Sequence, residues 1–267
     1  MNKDLQKDLI FQITSLMVAI LLVHLVYVIA IRPNAEAILQ ADNERAQLGE
    51  SFVQERSFYV VVRDYEQEAC FILMLWAIAI MTYKSRSVLK QRELFNKNLI
   101  NVRAGMNVLP EDSRELARPI QALADEEKNS LLPKTLLSAL SRFQSTHNIQ
   151  DVTEAVKSSC LFESERLDSE LAMVRYIVWA IPSIGFIGTV RGIGEALSQA
   201  YKAVEGDIVG VTTSLGVAFN STFVALIISI LLMFLMYQLQ LFQEKLVLDT
   251  QEYCDQKLIT HLQVRKD

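Results

Sequence analysis

From Leu9 to Ile31 the chain runs without a formal charge, and three further apolar stretches follow: Ala69 to Tyr83, about Leu171 to Val190, and about Val209 to Tyr237. Roughly 20 apolar residues of helix cross a bilayer's hydrocarbon core, and within it each backbone N–H and C=O must be satisfied by the segment itself. These two requirements leave few folds open. The pattern predicts an all-α integral membrane protein with four transmembrane helices. A mean hydropathy of +0.22 and an apolar share of 51%, with only 5 Pro and 9 Gly, point the same way.

The first span, in the segment 1–31, is expected to stop at Arg32-Pro33. It is longer than a cleaved leader's apolar core, and no small-residue cleavage site follows it cleanly. The second, 69–83, is short and lies between Asp64, Glu66 and Glu68 on one side and Lys84 and Arg86 on the other, so its flanks are expected in the interfaces. The third is assigned to 171–192 and the fourth to 209–238. Four spans put both termini on one side. Lys84, Arg86, Lys90, Arg92 and Lys97 crowd the exit of the second span, whereas the short link 193–208 carries only Lys202. Positive charge stays on the cytoplasmic side, so 84–170 and both termini are read as cytoplasmic. The loop 32–68, with eight acidic residues against four arginines, is read as facing the opposite compartment.

The insert 84–170 reads as a helical cytoplasmic domain, divided by Pro110, Pro119 and Pro133. Leucines and a phenylalanine recur at helical spacing from Leu131 to Phe143. Asp151 with Glu154 is expected to form a capping box, opening a helix with no breaker before Pro182. No Pro or Gly interrupts Ala218 to Asp267, so a helix of about 75 Å, at 1.5 Å per residue, is expected to cross and project inward through 239–267.

A net charge of -5 gives no nucleic-acid footprint. Cys70, Cys160 and Cys254 lie far apart with no histidine at ligand spacing, so they read as small apolar residues, and no metal or cofactor is expected. No nucleophile paired with a base and no phosphate-cradling glycine loop occurs, so an enzyme is not expected. His24, inside the first span, reads as a histidine satisfied by a neighbouring helix, with pH sensing as the other reading. Glu163 to Glu170 reads as a solvated charged face.

The third and fourth spans carry small and hydroxyl residues where lipid-facing helices carry leucine. Pro182 removes a backbone hydrogen bond and is expected to kink its helix. Gly185 adds a small residue, and Gly188 with Gly192 forms a GxxxG pair that lets another backbone approach. The fourth span adds Thr212, Thr213, Ser214, Gly216, Asn220, Ser221 and Thr222. Asn220 is the costly member, since its own helix satisfies an amide less easily than a hydroxyl. No carboxylate is placed in the central part of any span; Glu195, at the mouth of the third, is the nearest. Hydroxyls and one amide can hydrate a polar path but do not titrate.

PSIGFIGTVRGI, Pro182 to Ile193, and SLGVAFNSTFVAL, Ser214 to Leu226, resemble the MotA/TolQ/ExbB proton-channel family. The first looks like that family's Pro, Gly and GTV signature, the second like its last helix with the pore threonine. The resemblance implies that Thr189 and Thr222 line the ion path, with Asn220 and Ser221 beside them. It also implies a homo-oligomeric ring, a pentamer, in a bacterial inner membrane, which would make 32–68 and 193–208 periplasmic. The ring would surround a single-pass partner of the ExbD/TolR/MotB type carrying an intramembrane aspartate. Such a ring converts proton motive force into mechanical work, with the proton, or sodium, as the transported ion. Three positions depart from the pattern: Val217 stands where the ExbB and TolQ branch has glutamate, the MotA branch's second proline is missing, and Arg191 replaces an aromatic residue. The branch stays open. A non-conducting scaffold that recruits a cytoplasmic partner is the alternative reading.

Overall fold

The computed structural model describes residues 3–47, 57–102, 107–204 and 208–264. It is all-α, with no strand among the described residues beyond an isolated bridge between Val108 and Leu262. The helices in chain order are α1 (Lys3–Val26), α2 (Arg32–Gln47), α3 (Phe58–Val61), α4 (Tyr65–Glu93), α5 (Ser113–Gln121), α6 (Asp125–Lys128), α7 (Leu131–Thr146), α8 (Ile149–Glu170), α9 (Ala172–Ser198), α10 (Ala200–Val204) and α11 (Val209–Lys257). Among the described residues, four helical stretches are long and apolar enough to cross a membrane: Gln6–Asp42, Tyr65–Lys97, Ile149–Ser198 and Val209–His261. The chain divides into two compact units, Met1–Met81 with Met173–Met236, and Thr82–Ala172 with Tyr237–Asp267.

In the first unit the helix expected to end at Arg32-Pro33 does not end there. A π turn, Tyr27–Ile31, joins α1 to α2, and the Arg32 N–H donates to Tyr27 O, five residues back. Proline lacks an N–H and its ring crowds the carbonyl four residues earlier; one widened turn absorbs both problems and the helix continues. The link 32–68 is therefore helical at its start, from Arg32 to Gln47, and again at Phe58–Val61. Ala19, Val23, Tyr27, Ile31 and Ala35 form the buried stripe of α1 and α2, while Leu21, Leu25 and Ile29 face outward. That stripe meets α4 in antiparallel register: Trp76 Nε1 donates to Gln12 O at 3.0 Å, and the Tyr27 and Phe71 rings lie 6.4 Å apart.

Pro182 sits inside the unbroken α9. The carbonyl it deprives of a donor is that of Val178, and the buried Ser229 hydroxyl of α11 donates to it at 3.2 Å. A hydroxyl from the neighbouring helix thus replaces the missing backbone bond.

The second unit is a helical bundle around α7 and α8. Leu132, Leu136, Ala139, Leu140 and Phe143 of α7, the stripe read from the sequence, are buried with Ile120, Val152, Val156, Cys160, Cys254 and Leu258. Pro133 stands in the first turn of α7, where its missing N–H has no partner to lose. The N-cap of α8 is Asn148, whose side chain accepts from the Gln150 N–H at 2.9 Å; Asp151 and Glu154 form no capping box, because the helix starts two residues before Asp151. The charged run at the end of α8 is more than a solvated face. Glu163 is buried and takes Arg166 at 3.3 Å, and Glu170 accepts from the buried Lys84 at 2.8 Å.

Candidate ion path

Helices α9 and α11 approach along a seam of small residues. An added Cβ at Gly185 would lie 2.5 Å from the Ala225 Cβ, at Gly188 2.6 Å from the Ser221 Cβ, and at Gly192 2.8 Å from the Ala218 Cβ. These three glycines therefore mark the places where no side chain fits, in antiparallel register down the seam. Gly216, by contrast, has open space around it.

This close approach brings Thr189 and Thr222 into hydrogen-bond contact through their hydroxyls. Thr189 Oγ1 is also within hydrogen-bond reach of Ala218 O at 2.9 Å, and Thr222 Oγ1 of Gly185 O at 3.1 Å. Both side chains are half-buried. Each hydroxyl has one proton, so one that donates across the pair gives up its carbonyl, and only two of these three bonds form at once. Ser221 is buried one position away, donates to Val217 O at 3.1 Å and accepts from Gln67 Nε2 of α4 at 3.3 Å. Asn220 is half-buried beside them and its side chain has no hydrogen-bond partner among the described residues. The structure thus gathers Thr189, Thr222 and Ser221 at one level, with Asn220 on the flank.

The first turn of α4 closes on this level and brings carboxylates that reading the spans did not place there. Because α4 begins at Tyr65, Glu66 and Glu68 lie inside a spanning helix. Arg191, two residues past Thr189, donates to both oxygens of Glu66 at 2.7 and 2.9 Å and to Glu195 at 3.0 Å. Glu68, mostly buried, takes His24 Nδ1 at 2.7 Å and Arg32 at 2.5 Å, and the Arg32 guanidinium lies 4.5 Å from the centre of the Tyr65 ring. His24 thus has its partner on a neighbouring helix. Glu195 is not the nearest carboxylate to the seam: the Glu66 Cγ would lie 3.2 Å from a Cβ at Gly188. Yet both oxygens of Glu66 are held by one arginine, and Glu68 is shared between a histidine and an arginine. Asp64, just ahead of α4, is held above its ordinary carboxylate range by burial, against the opposing pull of Arg63 and Arg191.

Gln67, Glu66, Glu68 and Arg32 are the polar residues here that the sequence did not single out. Their signal was the run Glu66-Gln67-Glu68 set directly against an apolar span, which reads as a flank until α1 and α9 are seen to pack on it. Residues 127–252 match the family model described as the MotA/TolQ/ExbB proton channel family. No curated protein and no solved structure matches the chain. The matched segment holds α7, α8, α9 and most of α11, including Thr189, Thr222, Asn220 and Ser221, whereas α1 to α5 lie outside it.

Proposed function

We propose that this chain, whose residues 127–252 belong to the MotA/TolQ/ExbB proton channel family, is a proton-channel subunit that assembles as a ring, a pentamer, around a dimer of a single-pass partner and turns proton motive force into mechanical work. The observation that carries this reading is the Thr189–Thr222 hydroxyl pair, set by glycine contacts into a seam of small residues within the matched segment. Its membrane is the bacterial inner membrane, with both termini and 84–170 cytoplasmic, as the basic residues after the second span imply.

The mechanism follows from the cost of charge. The carboxylates nearest the seam are committed to Arg191, His24 and Arg32, so the titrating acid comes from the partner's intramembrane aspartate. Ionised, that aspartate is expensive in hydrocarbon and seeks donors at Thr189, Thr222 and the Asn220 amide. Protonated, it loses the preference and the ring steps. A proton moving through 100 mV releases about 2.3 kcal/mol, enough to bias a step between neighbouring copies of the pair.

The test is co-purification of this chain with the product of a neighbouring reading frame that encodes one apolar helix with an aspartate near its start. In liposomes the complex should carry protons, and the partner's aspartate-to-asparagine variant should abolish the flux. A stable complex that conducts nothing in either form would instead identify a scaffold.

A further inference from the structure

We propose that Gln67 is a second polar station on the ion path, whose side-chain carbonyl accepts a hydrogen bond from water that delivers the proton toward the threonine pair. The proposal rests on the channel reading above and adds a residue from α4, outside the matched segment.

Gln67 is fully buried in the first turn of a spanning helix. Its orientation is fixed by chemistry. The Val61 carbonyl can only accept, and Gln67 Nε2 lies 3.2 Å from it, so the amide nitrogen must face that way. The same nitrogen donates to Ser221 Oγ at 3.3 Å, and the Ser221 proton goes to Val217 O. Turning the amide over would leave the Val61 carbonyl facing an oxygen. Gln67 Oε1 is consequently left with no donor among the described residues. A buried acceptor without a donor costs about 1–3 kcal/mol, a cost that a water donor would remove.

The position of this carbonyl gives it a use. Ser221 and Gly188, which meet at the seam, each stand one residue from a member of the threonine pair, and Glu66, the neighbour of Gln67, lies against Gly188. Asp64, Arg191 and Glu195 join Glu66 in a charged belt around this end of α4 and α9. Gln67 meets Ser221, the chain neighbour of Thr222, so a water on its carbonyl would lie close to the threonine level. The site suits an O–H donor rather than a metal cation. Ser221 Oγ is already both donor and acceptor, and both oxygens of Glu66 are held by Arg191, so Gln67 Oε1 is a single available acceptor. Hard cations require a shell of several oxygens.

The experiment uses the full-length chain in lipid bilayers, assembled with its acid-bearing partner. Water-edited solid-state NMR on the wild type should show magnetisation passing from water to the Gln67 side-chain amide as fast as to surface glutamines. Transfer as slow as to the Ala225 methyl in the seam would overturn the proposal. In liposomes, Gln67→Leu should lower proton flux about tenfold with assembly intact, and Gln67→Asn, which keeps an amide, should retain more. A wet amide with unchanged flux in Gln67→Leu, or a dry amide with reduced flux, would each refute a station on the path, the latter by showing a purely structural role. Should Gln67→Leu not assemble, Gln67→Asn and the wild-type spectrum decide the matter: a wet amide with flux reduced in Gln67→Asn supports it, and any other result refutes it. Flux carried by sodium in place of protons would overturn the assignment of water as the ligand. A complex that conducts nothing, with a wet Gln67, would sink the channel reading and leave the hydration site standing; a conducting complex with a dry Gln67 would do the reverse.

Discussion

At the scale of single residues, side chains that look interchangeable in sequence differ sharply in what they hold up. Ser229 and Ser183 are both serines in apolar helices, but Ser183 returns its proton to its own helix at Trp179 O, whereas Ser229 serves the Val178 carbonyl freed by Pro182. Ser229→Ala should lower unfolding stability in detergent by about 1–2 kcal/mol, the cost of an unsatisfied buried acceptor, while Ser183→Ala should be close to neutral. The glycines separate in the same way. Gly188→Ala forces a Cβ onto Ser221 and should destabilise by roughly 1–3 kcal/mol; Gly216→Ala meets nothing within 4 Å and should stabilise by up to about 1 kcal/mol through helix propensity. Thermal unfolding of the four variants side by side checks all these signs. The glycine, threonine and proline positions were legible because small and hydroxyl residues in an apolar run are conspicuous. Ser229 was not, since nothing in a sequence says which carbonyl on another helix a serine faces.

At the scale of helices, period and hydropathy mark the four spans and the buried stripe of α7, but the helix ends depart from the simple rules where the backbone has a second local solution. Proline at position 33 reads as a stop, and the π turn at Tyr27–Ile31 removes the conflict. Asp151 with Glu154 reads as a cap, and Asn148 takes the role because it precedes the first helical turn. The acidic charges ahead of the second span read as a flank, and they are also the contact through which α1 and α9 hold α4. Glu68 is the centre of that contact. Glu68→Leu strands the partly buried Arg32 and should destabilise by roughly 3–5 kcal/mol, the usual result of breaking one side of a buried pair. His24→Leu should cost much less, since His24 is 59% exposed and Arg32 remains on Glu68. Hydrogen exchange should accordingly rise across α1 in the Glu68 variant and change little in the His24 variant.

At the scale of the whole molecule, the matched segment 127–252 carries the threonine level, while α1, α2 and the first turn of α4 lie outside it. The fold class and the small-residue seam could be read from the chain because a bilayer permits so few arrangements. The polar contacts from α4 could not, because they depend on which face of α4 turns toward α9. The central claim is that the Thr189–Thr222 level serves ion passage in the assembled complex. The most direct measurement is proton flux through that complex in liposomes under an imposed pH gradient, comparing wild type with the double variant Thr189→Val, Thr222→Val. Both changes are nearly isosteric, so assembly is the internal control. Flux should fall at least tenfold with assembly retained; an assembled double variant that conducts like the wild type would show that the threonine level plays no part in ion passage.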